Sequence, residues 1–349
     1  MKRKIMTYKC LKGFIVLIVG ILLLGLIFPT WTPRINGVNS ISTLDQIEVN
    51  GTKLEVMIRG VDRNNPIILF VHGGPGCSEI PYVRKYQDIL EENFTIVHYD
   101  QRGSGKSYHF FEDYSNLSAD LHVDDLIALT EYITEQLNQE KVLLIGHSYG
   151  TYIGMKAAKK APERFAAYIG IGQVADTVQS EMDSLEYTIN QAELANHSKD
   201  VEELEALKES ILREEKLTPR RLVRKYGGAA RLINDNIDYY LGFLLNREYN
   251  LLDIIRYVRG VAISQEILIP EERKHNITSI KELELPVYFV MGKYDYMTST
   301  SAAKTYYQQI DAPLKDFVQF EHSAHYPQFE EKELFAEWLN QTWSELVGQ

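Results

Sequence analysis

The sequence predicts a doubly wound, mostly parallel α/β sheet carrying a large helical insertion. Fully apolar runs of strand length, such as PIILFV at 66–71 and PVYFVM at 286–291, alternate with helical text. More than a hundred residues without strand alternation separate the run at 167–171 from the one at 286–291. The pentapeptide Gly146-His147-Ser148-Tyr149-Gly150 stands where an apolar strand, 141–145, meets a helical stretch, 151–160.

The chain opens with Lys2, Arg3, Lys4, Lys9 and Lys12, and no acid precedes Asp45. Residues 13–28 carry no charge. Sixteen helical residues rise about 24 Å against a hydrocarbon core of about 30 Å, so residues 13–31, with Pro29 to Trp31 at the interface, are expected to form a transmembrane signal anchor. The basic segment 1–12 would then stay in the cytoplasm, giving a single-pass cell-membrane protein whose catalytic domain is extracytoplasmic. A cleaved signal peptide and secretion is the alternative, but no small-x-small cleavage site follows the apolar run.

Residues 32–45 read as a linker between this segment and the first strands. Two short strands, 46–49 and 54–58, flank Asn50-Gly51, a type I′ hairpin signal. Runs at 66–71, 94–99, 142–145, 167–171 and 286–291 are expected as buried parallel strands, with a helix over 123–137 among the connections. Residues 46–174 are thus expected to form the first part of the core and 281–349 the second. Residues 175–280 would form a helical cap over the site.

With 349 residues, 45% hydrophobic and 24% charged, the chain can bury a large core and is not disordered. Removing the five leading cations from the formal charge of -11 leaves -16, which argues against a nucleic-acid partner. Only Cys10 and Cys77 occur, on opposite sides of the apolar segment, so neither an intrachain disulfide nor a cysteine-based metal site is expected.

A strand turning sharply into a helix exposes the residue at the bend, and the glycines on either side of Ser148 relieve the crowding there. Ser148 is therefore the candidate nucleophile. A serine hydroxyl needs a base to take its proton and an acid to orient that base. Asp295 follows the strand at 286–291, where a carboxylate would sit on the ligand-binding rim of a parallel sheet. Two histidines, His322 and His325, follow the strand at 316–320, and His325, on the outgoing side of that loop, is the better base.

An oxyanion hole needs two backbone N–H donors. Tyr149 supplies one from the elbow, and Gly74, in the HGGPG loop after 66–71, supplies the other. His72 is expected to hydrogen-bond its own loop rather than hold a metal. The run DQRGSGKS at 100–107 contains GKS, but Asp100 occupies the first glycine position of the phosphate-binding pattern, which excludes nucleotide. Asp100 and Arg102 are instead expected to tie neighbouring loops together.

Taken together, HGGPG at 72–76, DQRGSGKS at 100–107, GHSYG at 146–150, GKYD at 292–295 and SAHYP at 323–327 resemble the proline iminopeptidase branch (peptidase family S33) of the α/β-hydrolases, over residues 46–347. The chain order Ser148, Asp295, His325 is the one used by that superfamily. The resemblance implies an α/β-hydrolase fold with a helical cap, a triad of those three residues and an oxyanion hole of Gly74 and Tyr149. It also implies cofactor-free, metal-free release of an N-terminal proline or other residue from short peptides through an acyl-enzyme.

An aminopeptidase must hold a free amino terminus, which similar enzymes do with cap carboxylates. Glu181 and Glu186 in the first cap helix are the candidates, set against a solvated helix face. His147 and Tyr149 depart from the GGSWG text usual at this elbow, and esterases, lactonases and haloperoxidase-like hydrolases also carry GHS elbows. A carboxylesterase or lactonase with the same triad and a small ester substrate therefore stays open. A catalytically inactive fold used as a surface binding module is disfavoured by the complete set of residues.

Overall fold

A 26-residue helix, α1 (Lys2–Ile27), opens the chain in the computed structural model, which describes residues 2–237 and 241–348. The first residue of the expected basic segment, residues 238–240 of the expected cap and the last residue of the chain lie outside the described residues. Among the described residues no helix is long and apolar enough to cross a membrane. The expected anchor over 13–31 is corrected accordingly: its uncharged run, about 24 Å as a helix, falls short of a hydrocarbon core of about 30 Å.

The residues following α1 are held by the protein itself. The Asn250 side-chain amide donates to the Phe28 carbonyl at 3.0 Å, Lys106 Nζ donates to Thr30 Oγ1 at 2.9 Å, and the Trp31 N–H donates to the Arg247 carbonyl at 3.0 Å. The extracytoplasmic placement and the membrane contact that rested on the anchor fall with it.

Eight strands form one sheet: β1 (Ile41–Val49), β2 (Thr52–Gly60), β3 (Ile67–Val71), β4 (Thr95–Tyr99), β5 (Val142–His147), β6 (Phe165–Ile171), β7 (Val287–Gly292) and β8 (Lys315–Phe320), in the order β1-β2-β4-β3-β5-β6-β7-β8. β2 runs antiparallel to both β1 and β4, and all other neighbours are parallel. Asn50 and Gly51 adopt φ of 46° and 77°, the left-handed pair that a type I′ turn requires, and Val49 faces Thr52 across it. β1 begins at Ile41, inside the stretch expected as linker, because its partner β2 continues to Gly60, which pairs with Ile41.

β3, β4 and β5 are buried on both faces, which explains why their sequences are apolar without alternation. Side chains still point to opposite sides in turn. Leu69, Val71 and Leu144 join Val123, Leu126 and Ile153 in one apolar layer, and Ile68, Phe70, Leu143 and Ile145 join Phe335 and Leu339 in the other.

The first layer is covered by α3 (Ala119–Leu137) and α4 (Tyr149–Lys160), while α2 (Ile80–Gln87) packs its tyrosines against Phe329. Ser118 caps α3 by accepting the Leu121 N–H, and Asn138 ends it at φ 51°.

Between β6 and β7 the described chain is helical. It contains α5 (Thr177–Leu194), several short helices over 198–245, and α6 (Leu251–Lys274), which starts at a reciprocal capping box of Asn250 and Asp253. This layer is tied to the sheet at several points. Tyr249 hydrogen-bonds Ser78 and Asp100, Asn276 donates to Asp176 at 2.9 Å, and Ser180 and Asp183 bond Ser299 beside α7 (Thr300–Gln309). The last helix, α8 (Lys332–Val347), covers the second apolar layer.

Candidate active site

Ser148 lies between the end of β5 and the start of α4 with φ 55° and ψ -126°, a conformation that L residues rarely adopt. The neighbourhood holds it there: its N–H donates to the Ile171 carbonyl at 2.9 Å, and its own carbonyl accepts the Thr151 N–H and hydroxyl at 2.8 and 2.7 Å. The flanking glycines are required by crowding. A Cβ on Gly150 would stand 1.9 Å from the Val71 carbonyl oxygen, and one on Gly146 would stand 2.6 Å from that of Gly150. Ser148 opens onto a cavity of about 390 Å³.

Asp295 and His325 meet beside it. His325 Nδ1 lies 2.8 Å from Asp295 Oδ2, and both side chains are buried. Asp295 Oδ1 accepts the N–H groups of Met297 and Thr298 at 2.9 and 3.0 Å, while Oδ2 also accepts the Thr298 hydroxyl at 3.0 Å. These bonds aim the carboxylate at the imidazole.

Burial pushes the His325 imidazole below its ordinary value of 6.5, against the charge and hydrogen bond of Asp295, and the charges of His147 and Arg220 add to the lowering. The ring is therefore ready to accept a proton at neutral pH. Ser148 and His325 border the same cavity without a hydrogen bond between them, a contact that often tightens only around substrate. His322 is exposed, with its N–H bound by Glu331, and does not border this cavity.

Gly74 and Tyr149 border the same cavity as Ser148. As the first residue of α4, Tyr149 presents a backbone N–H that has no partner within the helix, at the positive end of its dipole. His72 braces the neighbouring loop. Its Nδ1 lies 2.9 Å from the Gly73 carbonyl oxygen, and its Nε2 accepts the Gln101 N–H at 3.1 Å. Arg102 forks onto both oxygens of Asp125 and reaches the Asn50 carbonyl, tying the loop after β4 to the β1–β2 hairpin and to α3.

The helical layer supplies the opposite wall, and here two expectations change. Glu181 borders the cavity, but its carboxylate is already engaged by Arg220 and by the Thr218 N–H. Glu186, three positions beyond Asp183 on α5, is exposed and borders a separate cavity of about 620 Å³, so the structure does not bring it to Ser148.

Glu272 takes the place that the sequence did not reveal. It borders the Ser148 cavity, and among the described residues no hydrogen bond or ion pair reaches its carboxylate. Burial pushes it up to about 7, with Glu181 adding to the rise and Arg220 and Arg273 opposing it. Among the described residues the buried hydroxyl of Tyr149 also lacks a hydrogen-bond partner. Gln265, Ile269 and Glu272 all border the cavity and lie on one face of α6. That i, i+4, i+7 spacing was visible in the sequence, but which face of the helix turns inward was not.

Residues 66–332 match the family model for the alpha/beta hydrolase fold, and the chain belongs to that family. It is 32% identical over 309 residues to the probable aminopeptidase YbaC of Bacillus subtilis (strain 168), an alignment covering 86% of this chain and 96% of that protein. Its fold is similar to that of a proline iminopeptidase-related protein of Thermus thermophilus, with a TM-score of 0.61 and 19% identity over 88% of this chain and 99% of that one. An esterase from Exiguobacterium antarcticum is similar at a TM-score of 0.56 and 18% identity, over 85% and 98% of the two chains. The protein is a hydrolase with aminopeptidase-named relatives.

Proposed function

We propose that this hydrolase is a serine aminopeptidase that releases proline or another N-terminal residue from short peptides. Ser148 Oγ attacks the carbonyl carbon of the first residue as His325 Nε2 takes its proton, and Asp295 steadies the imidazolium. The N–H groups of Gly74 and Tyr149 donate to the oxyanion. His325 then protonates the leaving amine. A water repeats the sequence on the acyl-enzyme and frees the N-terminal residue, with residues 175–280 serving as the cap.

The observation that carries the peptidase reading is Glu272, a carboxylate in the wall of the Ser148 cavity that no hydrogen bond or ion pair reaches among the described residues. A carboxylate half-buried in a cavity wall is costly alone, and a substrate ammonium would supply a counter-charge. The kinship with an aminopeptidase-named relative agrees. Glu181, neutralised by Arg220, shapes the wall instead.

A carboxylesterase or lactonase is the second reading, favoured by the apolar side chains of Val174, Leu217, Ile269 and Met297 in the same cavity. Proline p-nitroanilide and a p-nitrophenyl ester, each assayed with wild type and Ser148→Ala, separate the two. Hydrolysis of the anilide that disappears in the variant is expected, and hydrolysis of the ester alone overturns the peptidase reading.

A further inference from the structure

Glu79 and His147, which also border the Ser148 cavity, form a second imidazole–carboxylate pair that the mechanism above does not use. His147 Nδ1 is 2.7 Å from Glu79 Oε1, and His147 Nε2 is 3.0 Å from the carbonyl oxygen of His325. Both side chains are buried, with 3% of each residue exposed. A carboxylate and a carbonyl oxygen can only accept. A neutral imidazole has one N–H and leaves one of these contacts unmade, whereas the doubly protonated ring makes both.

His72 shows the contrast. One of its nitrogens faces a carbonyl oxygen and the other faces the Gln101 N–H, which is the pattern of a neutral ring. The remaining histidine near Glu79 is His98, whose Nδ1 is 4.0 Å from Glu79 Oε2. Burial pushes His98 down to about 4, so it stays neutral and His147 is left as the charged partner of Glu79. Around His147 lie the rings of Tyr326 and Phe329, with centroids at 5.2 and 6.4 Å, whose π-systems favour a neighbouring cation.

We propose that His147 is a permanently charged positioning residue: paired with Glu79, it grips the His325 backbone by its carbonyl and keeps a positive charge beside the His325 ring. The two rings are 4.8 Å apart between centroids. This rests on the reading of His325 as the general base. A base must be unprotonated when substrate arrives, and a neighbouring cation discourages premature protonation.

The directions of the individual groups agree. Burial pushes Glu79 up, but the hydrogen bond and charge of His147, with the charges of His98 and His72, hold it below the ordinary carboxylate value. Burial pushes His147 down, and the hydrogen bond and charge of Glu79, with the His325 carbonyl and the Asp295 charge, leave it raised.

The other charged groups near the pair are accounted for. Asp295, in the turn after β7, opposes His147 at the His325 ring, while Arg220 from the helical layer acts with it. Glu330 faces Asp295 and is itself bound by the N–H groups of Arg231 and Leu232. His98 and His72 face Glu79.

Two measurements on the full chain test the assignment. In ¹⁵N-histidine NMR of the wild type, both His147 ring nitrogens are expected to be protonated from about pH 6 to about pH 8. The signal is identified in the wild type by its through-bond connection to the assigned His147 backbone. An unprotonated His147 nitrogen in that range overturns the proposal, including the case in which Glu79 carries the proton.

The second readout is the pH dependence of Ser148 labelling by a fluorophosphonate. Glu79→Gln leaves the ring in place, with Nε2–H still able to reach His325, but removes its charge. The labelling rate at about pH 6, relative to its plateau at about pH 8, should fall severalfold, and an unchanged profile overturns the proposal. Wild-type protein that never labels would instead sink the reading of Ser148 and His325 as nucleophile and base, and the NMR result on His147 stands apart from it. It also decides the matter if Glu79→Gln does not fold.

Discussion

Asp295 places one carboxylate oxygen 2.8 Å from His325 Nδ1 and commits the other to the N–H groups of Met297 and Thr298. The carboxylate cannot turn without breaking backbone bonds, so it fixes both the tautomer and the orientation of the imidazole. In Asp295→Asn the amide can present its N–H group to Nδ1, which favours the wrong tautomer and leaves Nε2 protonated. Turnover of the preferred substrate should fall by roughly 10³- to 10⁴-fold in kcat, with KM changed far less and the thermal midpoint nearly kept. Steady-state kinetics alongside a melting curve checks this, and a fall in stability comparable to the fall in rate would point to a structural role instead.

On the proposed mechanism, Glu272 separates amine recognition from chemistry. Glu272→Gln keeps the size of the side chain but removes the counter-charge for an ammonium, so kcat/KM for proline p-nitroanilide should drop about 10- to 100-fold, or about 1.4 to 2.7 kcal/mol. Hydrolysis of a neutral p-nitrophenyl ester should change little. Equal losses on the two substrates would remove Glu272 from the amine site.

Asp100 gives a prediction for stability. It is wholly buried, and its Oδ2 accepts the Lys106 N–H at 2.7 Å and the Tyr249 hydroxyl, while among the described residues no hydrogen bond reaches Oδ1. Burial pushes this carboxyl from 3.8 up to about 7. A group that holds its proton more tightly in the folded state contributes stability that is complete below 3.8 and is lost as the pH rises through about 7. Asp100→Asn keeps an acceptor for Lys106 and cannot ionise, so the decline of the wild-type melting temperature between about pH 4 and about pH 7 should flatten in the variant. A variant that declines as steeply as wild type would shift the cause to Glu272, the other carboxyl pushed up to about 7.

The arrangement of Ser148, Asp295 and His325 was legible because each follows a strand of the sheet, apolar before Ser148 and Asp295 and mixed in character before His325, and parallel strands deliver such loops to one rim of the sheet. The hairpin at Asn50-Gly51 was legible for the same local reason, since two residues determine its turn. Glu181, Glu186 and Glu272 behaved differently. Each lies on a helix of the inserted layer, and the rotation of those helices is decided by contacts with distant residues, as when Thr218 and Arg220 capture Glu181.

The Glu79–His147 contact joins residues 68 positions apart and has no local signature. The apolar run near the N-terminus misled because composition alone does not tell where its end is held; Phe28, Thr30 and Trp31 find partners in the protein.

Arg220 belongs to the helical layer, but its charge is felt at the ring of His325. A movement that lifted this part of the layer away would carry the guanidinium with it, and the imidazole would then hold a proton more firmly. On the proposed mechanism the base is consequently more often free of its proton when the chamber is shut, and more often protonated and idle when it is open.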